Sequence, residues 1–196
     1  ADLAMYQAKK AGRNTLRFFN PEMQAVVTAR AALEEDLRAA LAQDEFLLHF
    51  QPQVNLAGQC VGVEALVRWA HPQRGMVSPA QFIPLAEETG LILPVGRWVL
   101  HTACKLLASW QSDPALSHLT MAVNVSSRQF RHASFVDDVA RVLAITGAPS
   151  AQLKLELTES LLLHDVEECI AKMQALRAKG VRFALDDFGT GYSSLS

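Results

Sequence analysis

The sequence lacks several features that would place it quickly in a class of protein. Its 18 Lys and Arg against 20 Asp and Glu give a net charge of −2, so nothing favours binding to a nucleic acid polymer. No apolar run reaches the roughly 20 residues of a membrane span, and the start "ADLAMYQAKK" does not have the order of a signal peptide. The cysteines, Cys60, Cys104 and Cys169, are odd in number and far apart. They predict three buried thiols in a reducing, cytoplasmic setting, without disulfides or zinc.

Common catalytic motifs are also missing. The six His form no H-E-x-x-H, and the sequence contains neither G-x-S-x-G nor a Walker loop. The stretch "GTGYSS" has the glycines of a phosphate cradle, but turn flexibility explains a single Gly-x-Gly equally well. With these motifs missing, the carboxylates are the remaining candidates for a functional site.

The length and composition fit one soluble globular domain with a piece of another. The chain has 196 residues, of which 50% are hydrophobic and 19% charged. It does not begin with Met and it ends inside a loop, so we expect both ends to be cuts in a longer protein. Residues 21–43, rich in Ala, Leu, Glu and Arg, predict a helix that would act as a stiff connector.

From Phe46 onward, strand-like and helix-like stretches alternate. This order predicts an α/β fold with parallel strands, either a barrel or an open doubly wound sheet. The first two strands are joined by too few residues for a parallel crossover, so they should pair antiparallel. The strand-like stretches are "FLLHFQPQV", "VGVEALVRW", "LTMAVNVSS", "QLKLELTES" and "VRFALDD". The helix-like stretches cover 78–90, 94–110, about 133–146 and 165–180, the last with Val166, Ile170, Met173 and Leu176 predicted on one apolar stripe.

Four of these strands share an arrangement of polar and apolar residues. Each has an apolar row on one face and one oxygen-bearing side chain on the other, because side chains alternate along a strand. The apolar rows are Val61, Val63 and Ala65; Met121, Val123 and Val125; Leu153, Leu155 and Leu157; and Val181, Phe183 and Leu185. The opposing residues are Glu64, Asn124, Glu156 and Asp186, the last followed by Asp187. A single acid on a strand is usually solvated, but four strands with the same pattern indicate a shared site.

The shared site has the chemistry of a metal centre. At the carboxyl ends of barrel strands these side chains would converge, and crowded carboxylates repel one another unless a cation lies between them. Ligands that are all oxygen favour Mg²⁺ or Mn²⁺ over zinc. Two adjacent Asp residues could serve two ions, an arrangement suited to hydrolysis of phosphate esters.

Five blocks of the sequence, in order, resemble those of EAL domains, the cyclic-di-GMP phosphodiesterases. They are "EALVRW", "SPAQFIPLAEETGLI", "NVSSRQF", "LELTES" and "LDDFGTGYSSL". The resemblance implies that 33–196 is the N-terminal part of an EAL domain. Residues 1–20 resemble the C-terminal tail of a GGDEF (diguanylate cyclase) domain in the same parent chain, with 21–32 as a helical linker.

The fold implied by the resemblance is an incomplete (β/α)₈ TIM-like barrel whose first strand is antiparallel and which stops after about the fifth strand. The implied ligands of Mg²⁺ or Mn²⁺ are Glu64, Asn124, Glu156, Asp186 and Asp187, with Glu64, Asp186 and Asp187 catalytic. Glu159 would anchor the loop "DDFGTGYSS", which is also implicated in forming a homodimer.

The implied substrate is cyclic-di-GMP, contacted by Gln51, Leu66 and Arg68. Metal-activated water would open it to linear pGpG in a bacterial second-messenger pathway. The family's later Lys, Glu and Gln positions are not in this sequence, so we expect residues 1–196 alone to be inactive. Two alternatives remain: a degenerate EAL domain that only binds cyclic-di-GMP, and a scaffold without a ligand.

Overall fold

The structure is a computed structural model, and it describes residues 21–158 and 166–186. Its helices are α1 (Pro21–Ala40), α2 (Pro79–Thr89), α3 (Ile92–Ser109), α4 (Ser127–Arg131), α5 (Phe135–Thr146) and α6 (Val166–Ala178). Its strands are β1 (Phe46–Val54), β2 (Cys60–His71), β3 (Gly75–Val77), β4 (Thr120–Val125), β5 (Leu153–Thr158) and β6 (Arg182–Asp186). Short 3₁₀ turns cover Trp110–Ser112 and Ser150–Gln152.

The strands form one mixed sheet in the order β1-β2-β4-β5-β6, with the short β3 paired to β2. The pairs β2–β4, β4–β5 and β5–β6 are parallel, whereas β1 and β2 are antiparallel, which confirms the expected mixture. The turn between β1 and β2 is closed by Asn55, whose Oδ1 accepts hydrogen bonds of 3.0 Å from the amides of Ala57 and Gln59. So short a turn can only reverse the chain.

The two faces of the sheet differ in polarity. Helices pack on one face, and the apolar rows on it are largely buried, as in Met121, Val123 and Val125 of β4. The rows are more open only at their ends, where Val61 is 40% and Leu185 41% exposed. The other face carries the polar side chains, and this is the face on which the candidate ligands lie.

An aromatic cluster holds β1 and β2 against the helices. Trp69 is fully buried, lies edge-on to Phe82 with ring centroids 5.7 Å apart, and donates from Nε1 to Oε2 of Glu45 across 2.9 Å. Phe46 contacts the same pair and also Trp98. Because each large aromatic ring removes so much apolar area from water, this cluster anchors the strand that carries Glu64.

The predicted helix boundaries hold where the sequence has strong signals. Pro79 opens α2 and Gly90 closes it with a left-handed φ of 83°. Two short elements were not predicted from the sequence: the strand β3, and the helix α4 directly after β4. The helix α4 has a clear start signal. It begins in a capping box, in which Ser126 and Gln129 bond to each other's backbone amides.

Two predictions about burial are wrong. Cys60 is exposed, because it is the first residue of β2 and lies next to the β1–β2 turn, so only Cys104 and Cys169 are buried. In α6, Val166 and Ile170 are 47% and 45% exposed. The buried side chains of α6 are instead Cys169 and Leu176. At 3.6 residues per turn, Ile170 points about 100° away from Cys169 and therefore away from the sheet.

Helix α1 packs against the rest of the described chain. Leu37 and Ala40 are fully buried against the core. On its polar side, Asp36 pairs with Arg74 at 2.9 Å and with the buried His71 at 3.3 Å, which ties the helix to the β2–β3 hairpin. Among the described residues, no helix combines the length and apolarity that crossing a membrane requires.

Candidate metal and substrate site

The register of the parallel strands brings three predicted ligands together. Asn124 on β4 lies directly beside Glu156 on β5. Glu64 on β2 lies beside Ala122, which is two residues before Asn124 on β4. Residues paired across a parallel sheet point to the same face, and neighbouring strands are about 4.8 Å apart. Glu64, Asn124 and Glu156 therefore share the polar face within two adjacent rows.

Glu64 and Asn124 are in direct contact. The amide Nδ2 of Asn124 donates a hydrogen bond of 2.6 Å to Oε1 of Glu64, although the two residues are 60 positions apart. Glu64 is half-buried and Asn124 is exposed, so this pair is accessible to solvent on the polar face. An amide has a separate acceptor in Oδ1, which means that Asn124 can hold Glu64 with one atom and offer an oxygen to a cation with the other.

Glu156 lies deeper and has partners that the sequence analysis did not identify. It is 8% exposed, and its Oε1 is 3.0 Å from the Nζ of Lys154 and 3.3 Å from the Nε2 of Gln53. Lys154 also donates to Oε1 of Gln53 across 2.7 Å, which closes a three-membered group. The ammonium of Lys154 and the amide of Gln53 account for the presence of a carboxylate in this poorly solvated place.

The signal for these two partners was present in the sequence. Lys154 lies two residues before Glu156, and Gln53 two residues after Gln51, so alternation along the strand puts each on the polar face. Alternation cannot show, however, that β1 and β5 approach each other closely enough for Gln53 to reach a carboxylate about a hundred positions away.

The predicted substrate-binding residues lie on the same face of β1 and β2. Gln51 is paired with Glu64 across the two strands and is exposed. Leu66 and Arg68 continue along β2 and, together with Asn124 and Ser126, line a cleft of about 270 Å³. The guanidinium of Arg68 donates from Nη1 to the carbonyl of Val67 at 2.9 Å, and no acid partner is seen for it among the described residues. The cleft therefore places a cationic group beside Asn124, one of the candidate ligands, as an anionic substrate would require.

Three of the predicted residues cannot be placed fully. Glu159 and Asp187 lie outside the described residues. For Asp186 the structure describes its position in β6, where it is paired with Thr158 one row beyond Glu156, but not its side chain. The row that contains Thr158 and Asp186 therefore follows the row of Asn124 and Glu156 towards the carboxyl ends of the strands.

The donors that are placed suit a hard divalent cation. Glu64, Asn124 and Glu156 offer only oxygen atoms, and all three lie on one face of the sheet. Within the described ranges no group of three or more His, Cys, Asp or Glu is close enough to hold a metal. The placed donors include only two carboxylates, and one of these is in contact with Lys154. A divalent site would therefore need further acidic ligands, and Asp186 and Asp187 follow Glu156 in the order of strands.

The fold and the donor set are those of an α/β barrel domain with acidic residues at its strand ends. The model of the EAL domain family matches residues 34–196, and the chain belongs to that family. The sheet described above is part of such a barrel. A solved structure described as the PaMucR phosphodiesterase in complex with c-di-GMP is similar to it, with a TM-score of 0.79 and 44% identity over 83% of this chain and 66% of that one.

Relatives with assigned names are also similar along the whole chain. The bifunctional diguanylate cyclase/cyclic di-GMP phosphodiesterase MucR of Pseudomonas aeruginosa is 45% identical over 100% of this chain and 28% of its own length. The cyclic di-GMP phosphodiesterase PdeR of Escherichia coli is 41% identical over 100% of this chain and 29% of its own. The chain thus spans between a quarter and a third of the length of these two relatives.

Proposed function

We propose that the protein containing this chain hydrolyses cyclic-di-GMP to linear pGpG. The observation that carries the proposal is the joint placement of Glu64, Asn124 and Glu156 on the polar face of the sheet in a chain of the EAL family. It is supported by relatives named as cyclic di-GMP phosphodiesterases and by a similar structure described with c-di-GMP bound.

We propose Mg²⁺ or Mn²⁺ as the cofactor, held by Glu64, Asn124, Glu156, Asp186 and Asp187. When bound, such a cation lowers the pKa of a water molecule and polarises a phosphate oxygen. The chain's own contribution is to keep its ligands in place. Asn124 orients the carboxylate of Glu64 through its 2.6 Å hydrogen bond, and Gln53 does the same for Glu156 through its hydrogen bond of 3.3 Å.

The substrate contacts follow from the cleft beside these ligands. We propose that Arg68 pairs with a phosphate of cyclic-di-GMP, because a guanidinium forms strong charge-assisted hydrogen bonds to phosphate oxygens. Leu66 supplies an apolar wall against which a guanine ring can pack, and Gln51 offers an amide for its polar edge. In this arrangement the residues of β2 orient the substrate over Glu64.

The proposal also covers the loop after β6, the neighbouring domain and the cellular setting. Glu159 would anchor the loop that contains Asp187, and this loop would take part in a homodimer. A GGDEF domain would precede the connector helix α1 in the same protein. The setting would be cytoplasmic, in keeping with the reduced thiols of Cys60, Cys104 and Cys169.

The direct test is to incubate the full-length protein with cyclic-di-GMP and to separate the products by chromatography. We expect pGpG in the presence of Mg²⁺ or Mn²⁺ and none after chelation. Glu156→Gln should abolish the reaction, whereas Glu167→Gln, which changes an exposed acid on α6, should leave it intact. A folded full-length protein that produces no pGpG with either metal would reject the proposal.

A second candidate is a receptor that binds cyclic-di-GMP without cleaving it. The observation in its favour is the contact between Lys154 and Glu156, since an ammonium group occupies one oxygen of a proposed ligand. Calorimetric titration with cyclic-di-GMP separates the two: binding without any pGpG over hours indicates the receptor, and turnover excludes it.

A further inference from the structure

We infer that Lys154 is an internal competing cation that weakens the hold of Glu156 on a divalent metal. This inference rests on the proposed function, because it assigns a regulatory role within the same site. Lys154 does not bind the metal itself; it acts on metal binding through its contact with Glu156.

The first observation is how closely Lys154 engages Glu156. The ammonium is 3.0 Å from Oε1, and the side chains of Lys154 and Glu156 are only 23% and 9% exposed. An ion pair on the surface would be screened by water and salt and would have little effect. With so little solvent around it, this pair is poorly screened, so the charge of Lys154 acts strongly on the carboxylate.

The second observation is that neighbouring residues hold the ammonium in this position. Gln53 accepts from Lys154 at 2.7 Å and donates to Glu156 at 3.3 Å, so it joins both partners. In the sheet, Lys154 lies between Ala122 and Arg182. The contact with Gln53 therefore keeps the ammonium beside Glu156.

The charge of Lys154 disfavours metal binding whether or not the ammonium keeps its place. If it stays beside Glu156, a divalent ion that reaches this carboxylate meets the repulsion of a positive charge. If the ion displaces it, the attraction between Lys154 and a carboxylate that is mostly out of water is lost. In either case, removing the charge favours the metal-bound state.

The direction in which metal affinity changes on removal of Lys154 distinguishes a competing cation from an ordinary structural partner of Glu156. If Lys154 only oriented Glu156 for the metal, its removal would weaken metal binding. Loss of a group that orients a metal ligand typically costs roughly 10–100-fold in affinity. As a competing cation, its removal strengthens binding, and because the removed repulsion between the two cations acts at short range, we expect Kd to fall by about tenfold or more.

The experiment is a calorimetric titration of the full-length protein with MnCl₂ and MgCl₂ in the absence of nucleotides. Lys154→Met removes the charge and keeps most of the length of the side chain. We expect it to bind both metals about tenfold more tightly than the unchanged protein and to show a lower Tm without metal. Lys154→Arg keeps the charge and should retain the original affinity. Lys105→Met, the same change at an exposed position of α3, is the matched control and should have no effect. Glu156→Gln identifies the part of the binding signal that depends on this site.

The possible results separate the two proposals. Equal or weaker metal binding by Lys154→Met overturns the inference and leaves the proposed function in place. Absence of any signal that depends on Glu156, in both the unchanged protein and the variant, overturns the proposed function and this inference with it. If Lys154→Met does not fold, Lys154→Gln applies the same test, since it is neutral and can still bond to Gln53; equal or weaker binding there also rejects the inference.

Discussion

Asn124 on β4 donates a hydrogen bond of 2.6 Å to the carboxylate of Glu64 on β2, across 60 positions of sequence. This contact joins β2 and β4 on the polar face, where Asn124 is exposed to solvent. It orients one proposed ligand by means of another, so the two residues should behave as a unit when either is changed.

The first prediction concerns this pair. Asn124→Ala removes both the hydrogen bond to Glu64 and one oxygen donor, so we expect kcat/KM for cyclic-di-GMP to fall by about 10–100-fold, as for loss of a group that positions a metal ligand. Steady-state kinetics of the full-length protein measure this. Gln174→Ala, an exposed amide on α6, is the control and should not change kcat/KM. Unchanged kinetics for Asn124→Ala would remove Asn124 from the site.

The second prediction concerns Arg68. Lysine at this position keeps the charge but loses the two-pronged geometry of the guanidinium, which costs hydrogen bonds to phosphate. For Arg68→Lys we expect KM to rise about tenfold with kcat changed much less, because the lost interaction is one made with substrate and transition state alike. Arg177→Lys, exposed on α6, should leave both constants as they are. A large fall in kcat at constant KM would contradict a purely binding role.

The third prediction concerns Gly96 on α3. A Cβ at this position would overlap the side-chain amide of Gln129, the residue that completes the capping box of α4. Gly96→Ala should therefore lower the free energy of unfolding by about 1–3 kcal/mol, the usual cost of overpacking. Gln129→Ala alone should cost about 1 kcal/mol through loss of the cap.

The double variant Gly96→Ala with Gln129→Ala is the informative control for this pair. Truncation of Gln129 removes the atoms that the new methyl group would meet, so the double variant should be more stable than the sum of the single changes predicts. Thermal unfolding of the four proteins measures the coupling. Simple additivity would show that the two residues do not contact each other.

The fourth prediction concerns the thiols. Burial raises the pKa of the Cys104 thiol to about 12, so this group has almost no thiolate at pH 8, whereas Cys60 is exposed. A chromogenic disulfide reagent should therefore react quickly with Cys60 and slowly with Cys104. Cys60→Ser should remove a fast phase, and Cys104→Ser should not. If Cys104→Ser removed the fast phase, the burial of α3 against the sheet would be wrong.

The same pKa gives a direction for stability at high pH. The unfolded chain loses the Cys104 proton near its ordinary pKa of 9.0, but the folded chain keeps it until about pH 12. Stability from this group is therefore complete below pH 9 and is lost as the pH rises from 9 towards 12. Cys104→Ala should make that part of the pH dependence of Tm shallower.

Much of the candidate site could be predicted because it depends on local alternation. The positions of Glu64, Asn124 and Glu156 opposite apolar rows follow from the two-residue period of strands, and the antiparallel first pair follows from a short turn. Both are properties of a few consecutive residues.

What could not be predicted depends on distant packing. The group formed by Gln53, Lys154 and Glu156 needs β1 and β5 to approach each other, and no local pattern contains that information. The exposure of Val166 and Ile170 depends on which side of α6 meets the sheet, since the stripe through Met173 and Leu176 fits two faces of the helix. The roles of Asp186, Asp187 and Glu159 stay predictions.

The most direct measurement is the anomalous X-ray scattering of Mn²⁺ in crystals of the full-length protein. We predict a manganese peak in contact with oxygens of Glu64, Asn124 and Glu156, and loss of that peak in Glu156→Gln. A peak bound only by other residues, or these three side chains well ordered at saturating Mn²⁺ without any metal between them, would contradict the proposed site.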